Sequence, residues 1–178
     1  MKTLFLSLLM LFLISCSNDD HTDNQFIEDI QVIKQYLLDN NINAIETSSG
    51  LHYVIHNSGT EERPTPEDCI RLDGRISTFE GEVLDDFLND ENIIVILQLK
   101  KLLPGLIEGY QLLGEGGHAT LYLPSRLAYG PDEIEPPFSN IDNNTPLIFD
   151  IKLLYIADCK DESAFHKSIL VKQLETLK

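Results

Sequence analysis

Apolar and polar positions change their period several times along the chain, and each change marks an element. Phe26, Ile30, Ile33 and Leu37 recur at three- and four-residue spacing, with Glu28, Asp29 and Lys34 elsewhere around the wheel. Thr22 and Gln25 have the spacing of a capping box. This predicts one amphipathic helix over 25–39, ended by Asp39-Asn40-Asn41, with its apolar face on the domain rather than on a partner. After the turn Ser48-Ser49-Gly50 the period drops towards two, and 51–57, 69–78, 93–99, 118–123 and 147–156 read as strands. Phe79-Glu80-Gly81-Glu82 is a hairpin-like turn. Pro104-Gly105 opens a short helix through Leu113, and Gly114-Glu115-Gly116-Gly117 stops it. A long polar loop covers 124–145. Five or six strands around one short central helix make an α+β domain built on an antiparallel sheet.

Composition narrows the function classes. The 178 residues are 43% hydrophobic and 24% charged, which excludes a disordered tail and a fibre. Three cysteines are too few for a disulfide-stapled scaffold. A net charge of -16 would repel phosphates, so nucleic acid is not an expected partner. There is no P-loop or dinucleotide glycine pattern, and no cofactor is expected.

Lys2 precedes an apolar run from Leu4 to Ile14, interrupted by Ser7. The run suits a signal peptide and is too short to span a bilayer, which needs ~20 residues. Leu13-Ile14-Ser15-Cys16 then resembles the lipobox of bacterial lipoproteins. The resemblance implies cleavage before Cys16, lipidation of its thiol and a membrane partner reached through that lipid. Ser17 after the cysteine resembles lipoproteins sent on to an outer membrane, and Asp19-Asp20 resembles a surface-export signal. The expected organisation is a signal peptide over 1–15, a lipidated tether over 16–24, a helix and linker over 25–47, a folded domain over 48–158 and a tail over 159–178.

Cys69 and Cys159 remain, and their separation is open at this stage. His52 and His56 would share a strand face about 13 Å apart, at ~3.3 Å per residue. That is too far for two ligands of one zinc, so no metal site is expected. No Ser-His-Asp or Cys-His arrangement is legible.

Four strings in order carry a second resemblance: Pro104-Gly105-Leu106-Ile107-Glu108-Gly109, Leu121-Tyr122-Leu123-Pro124, Leu127-Ala128-Tyr129-Gly130 and Leu147-Ile148-Phe149-Asp150-Ile151. Together they resemble the FKBP family of peptidyl-prolyl cis-trans isomerases over about residues 50–156. The resemblance implies a curved antiparallel sheet wrapped around a short helix, with an apolar pocket between them. It implies a hydroxyl donor at Tyr129, a carboxylate at Asp85 and a pocket wall at Phe149. It places Leu102 and Leu103 beside the substrate, with the backbone N–H near Leu103 as a second donor. Val95 would face the pocket, and Ile141 would be the remnant of a pocket-facing loop position.

Three positions depart from the family pattern. Leu106 stands where active members usually carry Trp, Leu72 where they carry Tyr, and Leu84 where they carry Phe. Leu keeps the apolar burial but loses the flat ring. The acidic loop Pro131 to Thr145 also lacks the family's Ile-Pro-Pro pattern. The chemistry asks little of such a site. A prolyl bond resists rotation by ~18–20 kcal/mol through amide resonance, and twisting lowers its polarity. A dry apolar pocket therefore favours the twisted form. The implied function is a lipid-anchored isomerase that acts on proline-containing clients and assists protein folding in the cell envelope. The alternatives are a module that binds prolyl segments or an envelope partner with little turnover, and an accessory of an envelope protein complex.

Overall fold

The computed structural model describes residues 19–86, 95–131 and 141–159. Helix α1 (Asp19–Asp39) leads into strands β1 (Ile45–Glu46), β2 (His52–Asn57), β3 (Asp68–Ser77), β4 (Val83–Asp86) and β5 (Val95–Gln98). Helix α2 (Pro104–Tyr110), β6 (Gly117–Leu123) and β7 (Leu147–Asp158) complete the order. The strands form one antiparallel sheet in the order β1-β2-β6-β7-β3-β4. β5 shares the outer edge of β3 with β4: it pairs with Cys69 to Leu72, and β4 with Arg75 to Ser77.

Alternation along the strands builds the core. On β3, Ile70, Leu72, Gly74 and Ile76 are buried, and on β7 so are Phe149, Ile151 and Leu153. These positions face α2. Helix α2 can approach so closely because it carries glycine where it meets β6. A Cβ on Gly105 would lie 1.6 Å from a Leu123 methyl, and one on Gly109 would lie 2.2 Å from a Leu121 methyl. Spacing of four residues puts both glycines on one helix face.

The other face of the sheet carries α1. Ile33 and Leu37 pack with Tyr122 and Ile148 in a second apolar cluster. Tyr36 joins it, its ring 5.1 Å from Phe79 and 6.1 Å from Tyr122. The expected apolar face of the helix is therefore the face that packs.

Several bounds differ from the sequence reading. Helix α1 begins at Asp19, not 25, so part of the expected tether is helical and Thr22 lies inside the helix. No glycine or proline stands between Ser17 and Asp39 to stop the extension. Strands β1 and β4 were not expected, being two and four residues long, too short for a period to register. The expected C-terminal tail beyond Cys159 lies outside the described residues.

Cys69 and Cys159 form a disulfide with their Cα atoms 4.9 Å apart. It ties the start of β3 to the end of β7 across a sequence separation of 90 residues. Closing so long a loop restricts the unfolded chain, which stabilises the fold by about 2–5 kcal/mol. A Cys69→Ser, Cys159→Ser double variant is expected to unfold roughly 5–15 °C lower in a thermal scan. An unchanged midpoint would show that the bond adds nothing to stability.

Candidate active site

Between α2 and the sheet lies a mainly apolar cavity of about 410 Å³. Alternate residues of β3 supply Leu72, Gly74 and Ile76, and alternate residues of β7 supply Phe149 and Ile151. The segment entering α2 adds Lys101, Leu102 and Leu103, and the helix adds Leu106 and Tyr110. Asp85 comes from β4, Leu97 from β5, and Tyr129 from the turn after β6.

Seven of the residues singled out in the sequence thus meet around one cavity: Tyr129, Asp85, Phe149, Leu102, Leu103, Leu106 and Leu72. Leu84 and Ile141 do not line it. Ile76 pairs with Asp85 and Ser77 with Val83, so Leu84 is the extra residue of a β-bulge. It packs against the core and lines a neighbouring cleft together with Ile141. Val95 pairs with Leu72 at the start of β5, and its side chain lies outside the described residues. Leu97, two residues further on, is the β5 residue that lines the cavity. Leu97, Tyr110, Ile76 and Lys101 were missed by sequence reasoning. Strand parity and helix spacing could have suggested Ile76 and Tyr110, which sit at i+4 from Leu72 and Leu106.

Tyr129 is a hydroxyl donor across the neutral range. Burial pushes its pKa above the ordinary tyrosine value, and the charge of Asp85 adds to the effect. Tyr110 is fully buried in the cavity wall and is raised for the same first reason, with Asp73 adding to it. The Leu103 N–H, just before α2, makes no backbone hydrogen bond among the described residues.

The turn carrying Tyr129 is held from below. Residues Ser125–Leu127 form a single 3-10 turn, and the Ser125 carbonyl accepts from the N–H groups of Ala128 and Gly130 at 2.9 and 2.8 Å. Ser125 in turn donates its backbone N–H and its hydroxyl to one oxygen of Asp29, at 2.7 and 2.6 Å. The other Asp29 oxygen accepts from the Gln25 amide at 2.8 Å. Asp29 is 1% exposed, although the helical wheel set it among the polar residues of α1. Its spacing from Phe26 and Ile33 was the available signal, because three and four residues return to the same face. Arg126 beside it lies over the Phe26 ring, 3.2 Å from the centroid, and donates to the Ser49 carbonyl at 2.7 Å.

The chain belongs to the FKBP-type peptidyl-prolyl cis-trans isomerase family, whose profile matches residues 60–154. A Neisseria meningitidis serogroup B protein named as the FKBP-type isomerase FkpA is 37% identical over 118 residues, covering 62% of this chain and 39% of the relative. The outer membrane protein MIP of Legionella longbeachae is 31% identical over 108 residues, covering 61% of this chain and 45% of the relative. The chain therefore spans less than half the length of these curated relatives. Among solved structures, FkpA from Escherichia coli matches with a TM-score of 0.64 at 23% identity, covering 78% of this chain and 64% of that one. That likeness carries the fold. Helix α1, with Asp29, precedes the family match.

Asp29→Ala leaves the Ser125 N–H and hydroxyl unsatisfied in a buried place. The variant is expected to lose about 2–4 kcal/mol in denaturant unfolding. A loss below roughly 0.5 kcal/mol would mean that the contact between α1 and this turn is not maintained in solution.

Proposed function

We propose that this protein is a lipid-anchored peptidyl-prolyl cis-trans isomerase that assists protein folding in the bacterial cell envelope. The observation that carries the activity is the convergence of Tyr129, Asp85, Phe149 and the Leu102-Leu103 segment on one apolar cavity. A volume of about 410 Å³ lies within the range of small-ligand sites. It can take a prolyl ring and part of its neighbours.

The mechanism uses shape and dryness. The planar imide is more polar than the twisted one, so a pocket walled by Leu72, Leu106 and Phe149 disfavours the planar ground state more than the transition state. The Tyr129 hydroxyl donates to a substrate carbonyl and fixes the peptide against the walls. The Leu103 N–H is a second donor at the rim. A thousandfold acceleration needs only ~4 kcal/mol, which a few such differences can supply. The leucines at 72 and 106 keep the walls apolar.

The envelope location rests on the sequence before the described residues and on the relatives. The apolar run from Leu4 to Ile14 followed by Cys16 supports export and lipidation. A relative named as an outer membrane protein supports the same compartment. The Cys69–Cys159 disulfide suits an oxidising compartment. Proline-containing polypeptides are the expected clients.

A protease-coupled prolyl peptide assay tests the activity. Acceleration by the wild-type protein is expected, with kcat/KM about tenfold lower in Tyr129→Phe, as loss of one hydrogen bond predicts. No acceleration by folded protein would sink the enzyme reading and leave a prolyl-binding module. Fractionation of expressing cells tests the anchor. The wild-type protein is expected with membranes and Cys16→Ala in the soluble fraction; identical behaviour of the two would remove the lipid.

A further inference from the structure

We propose that His56, His118 and Asp150 form a binding site for one divalent transition-metal ion of the zinc class, on the sheet face opposite the prolyl cavity. The three residues come from three adjacent strands, β2, β6 and β7. One ligand atom from each can be chosen so that all three lie within 4.8 Å of one another. Asp150 sits between Phe149 and Ile151, which line the cavity, so strand alternation sends it to the other face. His118 stands two residues before Thr120, the direct partner of Asp150, and shares that face.

The approach of His56 is a feature of the backbone. Ile55 pairs with Ala119 and Asn57 with His118, so His56 is the extra residue of a bulge in β2. Bulges re-aim side chains. Here the His56 ring comes to 4.6 Å from the His118 ring. His52, on the same strand, is not the histidine that His56 meets. Its partner lies 62 residues further along the chain, on the neighbouring strand.

The donor set is two imidazoles and one carboxylate, which suits zinc and its neighbours and leaves a position for water. His118 Nε2 now donates to Asp150 at 2.8 Å, and His56 Nε2 lies 2.8 Å from the Thr120 hydroxyl. That hydroxyl also reaches the second Asp150 oxygen at 3.5 Å. An ion would take the place of the hydrogen between His118 and Asp150. Ligands of one tetrahedral zinc stand about 3.4 Å apart, given bonds of ~2.0–2.1 Å. His56 is exposed, which leaves its ring room to turn toward the other two ligands. Thr120 is then the second contact that orients Asp150.

Two cations sit nearby. Arg75 pairs across the sheet with Asp150, and its guanidinium is held by Asp86 at 2.7 and 3.0 Å. Lys152 pairs with His118. They temper the affinity, so binding in the micromolar range is expected.

Calorimetric titration of the purified protein with ZnCl₂ in a non-chelating buffer at neutral pH tests the site. One ion per chain is expected, with affinity at least roughly tenfold weaker in His56→Ala and in His118→Ala. MgCl₂ should give no saturable heat, because the ligands are too soft for it. All three positions are at least partly exposed, so thermal scans should show the variants folded, and Asp150→Asn gives an independent third test. No saturable zinc uptake below about 100 µM, or uptake with the wild-type affinity in both histidine variants, would overturn the proposal.

Discussion

Helix α2 lies against β6 with no side chain of its own at two places one turn apart. Gly105 meets Leu123 and Gly109 meets Leu121 at distances that no Cβ could share. This contact sets how deep the helix sits on the sheet. The neighbouring residues Leu106 and Tyr110 are thereby brought down to the level of Leu72 and Phe149. A helix held off by side chains would leave an open cleft there, and water would enter it. The depth of the cavity wall therefore begins with two missing methyl groups.

The two faces of the sheet do different work because each strand alternates. The inner face packs on α2 and builds the cavity. The outer face is half covered: α1 lies over Tyr122 and Ile148, while His118 and Thr120 further back on β6 stay partly exposed. The buried carboxylate of Asp29 links the two sides. It reaches from α1 to the turn that carries Tyr129, and so connects the outer layer to the rim of the cavity.

Much of the site was legible through the family resemblance, which marks positions that strand and helix periods alone leave as ordinary core. The strings around Gly105, Tyr129 and Phe149 kept their order and spacing, and the structure brings them to one place. Leu84 was assigned to the cavity and lies beside it, because a bulge in β4 adds a residue that no alternation pattern contains. Leu97 lies two residues beyond Val95, on the same face of β5, and lines the cavity, while the Val95 side chain lies outside the described residues.

By itself, the sequence determined the class of fold, the short glycine-bearing helix, the apolar run ending at Cys16 and most of the cavity wall. Each of these is local: a period, a turn residue or a string of neighbours suffices to read it. Only the tertiary structure decided that Cys69 meets Cys159, that Asp29 is buried under Ser125 and that His56 faces His118. Those contacts join residues 62 to 96 positions apart. They depend on strand order, register and bulges, which no local pattern encodes.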